Sequence, residues 1–163
     1  MPVDQQVLRA AMRQWSTGVT VVTTLHNGVL GGMTVSSFTS VSLEPPTVLV
    51  CLNKDTFAHH LVSQSGIYAI SMLAQGQEAL SQRFAGFDPT VTDRFEGISF
   101  NTAETGCPLL PGAVVWLDCV VVNSIQTGTH TIFLGEVIFA QTNPDLAPLV
   151  YHNRKYHTLV EVG

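Results

Sequence analysis

Charged residues are scarce in this sequence: Asp, Glu, Lys and Arg make up 12% of its 163 residues, about half the roughly 25% of an ordinary soluble domain. The formal net charge of −5 excludes the basic surface that a nucleic-acid backbone requires. Although 45% of the residues are hydrophobic, no apolar run approaches the roughly 20 residues of a membrane-spanning helix. Cysteine is sparse and odd in number, and Cys51, Cys107 and Cys119 form no CxxC pair. A disulfide framework is therefore not expected, and a reduced, cytoplasmic setting is. The opening residues MPVDQQVLRA lack the apolar centre of a secretion signal, in keeping with that expectation. Common chemical motifs are missing as well. There is no GxGxxG between a strand and a helix, no GxxxxGK(S/T), no HExxH and no GxSxG, so mononucleotide-loop, zincin and serine-hydrolase chemistries have no support. The adjacent His59 and His60 diverge on a helix and cannot chelate one ion together, so no metal site is expected.

What is present reads as a single domain over residues 1–163, mainly β with short helices. So much apolar surface on a small chain predicts a second subunit, most simply a homodimer. An amphipathic helix is expected from an Asp4 cap through Leu8, Ala11, Met12 and Trp15, ending at Gly18. Strands follow over Val19–Thr24 and Val29–Val35, joined by an Asn27-Gly28 hairpin turn. Ser36–Ser42 reads as a hydroxyl-rich connection closed by Pro45-Pro46, and the next strand starts near Thr47 and runs to Leu52. Asp55 or Thr56 caps a short helix. A strand over Ile67–Leu73 and a helix near Gln75–Phe84 come next. Two long β-branched runs, Ala113–Ile125 and His130–Gln141, form a hairpin across Thr127-Gly128, and Leu149–Tyr151 supplies a last strand. Six or more mostly antiparallel strands argue for a closed or split β-barrel, because closure removes exposed edges.

Candidate chemistry lies in small hydroxyls and a few cations. Thr34, Ser36, Ser37, Thr39 and Ser40 follow a strand directly. Lys54, Asp55 and Thr56 open a helix, where aligned dipoles and an ammonium favour phosphate. Ser81 and Arg83 form a third polar group. On their own these residues fit an anionic, partly aromatic ligand, and equally a set of solvated turns.

Longer motifs narrow the reading. Residues 15–23, WSTGVTVVT, residues 32–46, GMTVSSFTSVSLEPP, residues 80–85, LSQRFA, residues 128–137, GTHTIFLGEV, and residues 148–156, PLVYHNRKY, resemble in order the motifs of the flavin reductase-like family, the small reductases of two-component monooxygenases. The resemblance implies a split β-barrel of the FMN-binding type, a dimer, and NAD(P)H:flavin oxidoreductase activity that delivers reduced flavin to a flavin-dependent monooxygenase. It places FMN or FAD over Met33, Thr34, Val35, Ser36, Ser37 and Ser40, and over Cys51, Leu52, Asn53, Lys54 and Thr56. Lys54, Ser81, Arg83, Phe84 and Ala85 are expected to serve the flavin phosphate. NADH or NADPH is expected near Tyr151, Asn153, Arg154 and Tyr156, with His130 as the catalytic contact. Thr129 stands where the family usually has Asp, and Asn153-Arg154-Lys155 departs from the usual Arg-Gly-Arg. Trp15 and Trp116 are expected in the core or a dimer interface. The main alternative is a non-catalytic flavin carrier or redox sensor on the same barrel. A phosphorylated-substrate oxidase would need a more basic pocket than so few cations provide.

Overall fold

The computed structural model describes every residue from Met1 to Gly163. Its main body is an antiparallel sheet with strand order β3-β2-β6-β7-β8-β5-β4. The strands are β2 (Thr20–His26), β3 (Val29–Val35), β4 (Phe38–Leu43), β5 (Pro46–Asn53), β6 (Ile67–Met72), β7 (Val115–Thr127) and β8 (His130–Thr142). The sheet curls until β3 touches β5, which makes the split barrel. A second, three-stranded sheet joins β1 (Thr17–Gly18) to the hairpin of β9 (Val150–His152) and β10 (Lys155–His157). Three helices, α1 (Gln5–Met12), α2 (Phe57–Ser65) and α3 (Glu78–Ala85), complete the chain. No helix is long and apolar enough to cross a membrane.

Local chemistry explains most boundaries. Asp4 accepts the Gln6 N–H at 2.7 Å and caps α1, and Thr56 caps α2 by accepting the His59 N–H at 3.3 Å. Asn27 and Gly28 both have positive φ, 49° and 81°, as a type I′ hairpin turn demands. The barrel interior is filled by Val22, Val50, Leu52, Tyr68, Ile70, Cys119 and Phe133. Tyr68 lies so close over β8 that a Cβ on Gly135 would stand 2.7 Å from its Cζ. That position has room only for glycine. Burial pushes the Cys119 thiol up to about 12, so the barrel centre is uncharged.

Three sequence expectations change. Helix α1 stops at Met12 rather than near Gly18, because Thr17–Gly18 pairs with β9 instead. None of the α1 residues is buried. Ser36–Ser42 is largely strand rather than connection: β4 pairs with β5 across a bulge between Ser40 and Ser42. This edge strand is mostly exposed, and so it lacks the apolar alternation that signals a half-buried strand. Finally, the C-terminal strand is one arm of a β9–β10 hairpin.

Candidate active site

Two cavities share a wall. The narrower, about 160 Å³, is lined by Thr34, Ser36, Ser81, Ala85, Tyr151 and Tyr156, and by the exposed Phe87. Thr34 Oγ1 donates to the Ser81 carbonyl at 2.7 Å, and Tyr156 Oη donates to Ser81 Oγ at 3.0 Å. These two bonds fasten β3, α3 and β10 around one hydroxyl cluster. The Tyr151 and Tyr156 rings are 5.4 Å apart and tilted by 59°, a near-contact pair that forms an aromatic wall.

The wider cavity, about 620 Å³, opens on the other side of Ser36 and Tyr151, which line both. Ser37, Cys51, Asn153 and Arg154 line it as well, as do Arg9, Arg13 and Trp15. Ser37 is locked to β5: its Oγ donates to the Cys51 carbonyl at 2.8 Å and its own carbonyl accepts the Cys51 N–H at 3.1 Å. Burial raises the pKa of the Cys51 thiol, so it stays protonated and is no nucleophile. A third cavity behind Thr34 and Ala85 takes in Met33, Thr56 and Phe84.

The sequence-predicted residues thus divide. Met33, Thr34, Ser36, Ser37, Cys51, Thr56, Ser81, Ala85, Tyr151, Asn153, Arg154 and Tyr156 line three neighbouring cavities. Others are occupied elsewhere. Leu52 and Phe84 are fully buried core side chains, and Val35 is 7% exposed, although Val35 and Phe84 each contribute to a cavity wall. Arg83 spends its guanidinium on the carbonyls of Asp93, Arg94 and Glu96, at 2.6–3.1 Å, so it braces that loop rather than standing ready for a phosphate. Ser40 is on the exposed edge strand. Lys54 Nζ donates to the Gly128 carbonyl at 3.0 Å and ties the turn between β5 and α2 to the β7–β8 turn. Asn53 accepts the Asp55 N–H at 2.9 Å.

His130 does not line the cleft. It pairs with Asn53 in the β5–β8 register, two positions beyond Cys51 and so roughly 7 Å along the strand. Its Nδ1 lies 2.9 Å from Thr129 Oγ1. The threonine hydroxyl therefore partners the ring at the position where the family usually has an aspartate. Trp15, expected in a core or interface, is 67% exposed and lines the wide cavity. Sequence reasoning missed Arg9, Arg13 and Phe87. The signal for the two arginines is not local: it comes from where α1 settles. The Asn153 N–H donates to the Arg13 carbonyl at 3.1 Å, and Ser16 Oγ lies 3.0 Å from His152 Nδ1, so the segment after α1 is fastened to the β9–β10 hairpin.

A flavin reductase like domain matches residues 12–160, and the chain belongs to that family. Relatives include an FMN reductase (NADH) RutF of Ancylobacter novellus, 39% identical over 157 residues, 96% of this chain and 86% of the relative. The reductase component of an FADH2-dependent resorcinol hydroxylase from a Rhizobium species is 38% identical, covering 93% of this chain and 85% of that one. Among solved structures, the NADH:FAD oxidoreductase SgcE6 of Streptomyces globisporus, in complex with NAD and FAD fragments, superposes with a TM-score of 0.89 at 37% identity. That match covers 98% of this chain and 97% of the other. The mainly β, split-barrel architecture is the one these reductases share.

Proposed function

We propose that this protein is an NADH-dependent flavin reductase. It passes hydride from a reduced nicotinamide nucleotide to FMN or FAD, and the reduced flavin serves a partner monooxygenase. One observation carries the reading. Segments far apart in sequence, 34–37, 81–85 and 151–156, converge on two adjoining cavities that share Ser36 and Tyr151, with hydroxyls and an aromatic pair among the lining residues. Flavin fits this donor set, since hydroxyls and backbone N–H groups can meet its carbonyls and ribityl chain while Tyr151 and Tyr156 flank a flat ring. Bound there, flavin supplies the electron sink.

The protein's own work is positioning. Thr34, Ser36 and Ser81 would hold the edge of the ring system, the Thr34 hydroxyl being fixed by its bond to the Ser81 carbonyl and the Ser81 hydroxyl by the bond it accepts from Tyr156. Ser36 and Tyr151, common to both cavities, stand where donor and acceptor must stack. Holding the two rings in register would supply the proximity contribution to the rate. With Cys51 neutral, no side chain in the cleft is set up for covalent catalysis. His130 lies beside Asn53, outside the residues that line the two cavities, and a contact to the donor from the start of β8 is proposed for it. A homodimer and a cytoplasmic setting belong to the same reading. Exposed Val41, Leu43, Val122, Ile125 and Ile138 on β4 and the β7–β8 hairpin are the surface a second copy would cover.

Steady-state oxidation of NADH and NADPH by the purified protein, with FMN, FAD and riboflavin in turn, tests the proposal. Turnover that depends on added flavin is the expected result. Tight flavin binding without consumption of either donor would replace it with the carrier or sensor reading.

A further inference from the structure

The chain has seven Lys and Arg residues, and the structure accounts for three of them internally. Arg83 and Arg94 donate to backbone carbonyls, and Lys54 donates to Gly128. Lys155 stands exposed on β10. The other three, Arg9, Arg13 and Arg154, all line the wide cavity, and no Asp or Glu is among its lining residues. None of the three guanidiniums donates a hydrogen bond or meets a carboxylate within the chain, and all three are exposed.

Their placement follows from local geometry. Arg9 and Arg13 are one helical turn apart, so they project from one face of α1. Arg154 sits in the β9–β10 turn with φ at +64°. The bond from the Asn153 N–H to the Arg13 carbonyl joins the two elements. Trp15 adds an uncovered indole to the same cavity.

We infer that Arg9, Arg13 and Arg154 bind the pyrophosphate of the hydride donor, with Trp15 as the stacking surface for its adenine. This rests on the reductase reading. Three unpaired cations beside a flat aromatic match an ADP group: planar guanidiniums pair with phosphate oxygens, and an indole accepts a purine face. The donor, rather than the flavin, is the ligand for two reasons. The hydroxyl-lined slot lies on the far side of Ser36 and Tyr151. A donor that enters and leaves at every turnover also suits open, exposed cations, whose contacts are reversible. An anionic substrate approaching a protein of net charge −5 gains most from such a local positive patch, which steers encounter and loses force as salt rises.

The test uses Arg9→Gln, Arg13→Gln and Arg154→Gln in the full chain, with Arg13→Lys as a charge-retaining control. Each is assayed with NADH and with N-benzyl-1,4-dihydronicotinamide, a donor without phosphates. Calorimetric titration with ADP-ribose supplies a readout that needs no turnover. Each Gln variant is expected to lower kcat/KM for NADH and to weaken ADP-ribose about tenfold or more, as loss of a charge-assisted contact does. The rate with the phosphate-free donor and the KM for FMN should be unchanged, and Arg13→Lys should recover part of the loss. The salt dependence of kcat/KM for NADH should flatten in the variants. Equal losses with both donors, unchanged ADP-ribose affinity, or a loss confined to FAD would overturn the inference. So would a change in sedimentation without a change in ADP-ribose binding. A wild-type protein that oxidises neither donor would instead refute the reductase reading beneath it.

Discussion

Tyr156 closes the narrow slot through one hydroxyl, which donates to Ser81 Oγ. Tyr156→Phe leaves that serine without its partner but keeps the ring against Tyr151. A neutral hydrogen bond contributes about 0.5–1.5 kcal/mol, so the KM for flavin should rise a few-fold with kcat nearly unchanged. Steady-state kinetics over a range of flavin concentrations checks this. His59 shows a different residue-scale effect. It is buried on α2, its Nε2 lies 2.8 Å from Thr131 Oγ1, and its Nδ1 has no partner. Desolvation first, then the nearby His60 and Lys54 charges, lowers its pKa below the ordinary 6.5. The folded protein therefore binds fewer protons here than the unfolded chain, and the stability tied to neutral His59 is present above about pH 6.5 and lost as pH falls below it. Thermal melts at descending pH should show this decline, and His59→Gln should flatten it. A variant whose melting temperature falls just as steeply would contradict the assignment.

At the scale of elements, the hairpin turn is the sharpest case of sequence chemistry dictating shape. Gly28→Val forces a β-branched residue to φ near 81° and should cost about 1–2 kcal/mol, read as a lower melting temperature with catalysis intact. The same chemistry made the β2–β3 hairpin legible in the sequence, with β3 found at Val29–Val35. The Thr56 cap and the β7–β8 hairpin were legible for similar reasons, since caps, turns and long β-branched runs are local signals. Strand β4 was not legible, because an exposed edge strand rich in serine has no apolar face to reveal it. The end of α1 was misjudged because Thr17–Gly18 is drawn into a sheet with residues more than a hundred positions later. Site residues divide the same way. Motif words single out Thr34, Ser36, Ser81, Tyr151 and Tyr156, which line one cavity, but not the core burial of Leu52 or the loop-bracing bonds of Arg83. Packing and hydrogen-bond partners decide such fates, and a linear pattern carries neither.

Across the whole molecule, a barrel with an uncharged centre supports a cleft assembled on its outside from β3, α3 and the β9–β10 hairpin. The arrangement separates rigidity from chemistry: Tyr68, Phe133 and Leu52 pack the interior, while the hydroxyls and guanidiniums proposed to meet the ligands line cavities outside it. It also accounts for the absence of a glycine-rich dinucleotide motif, since a donor that only stacks transiently needs an open face and a few cations. On the reductase reading, hydride crosses directly between two rings held in this cleft. Anaerobic stopped-flow mixing of the protein and flavin with NADH deuterated at the transferred position of C4 tests this transfer. Flavin should bleach in a single turnover, with a primary isotope effect on the rate. A flavin that stays oxidised, or bleaches at a rate independent of the protein, would rule out direct transfer in this cleft.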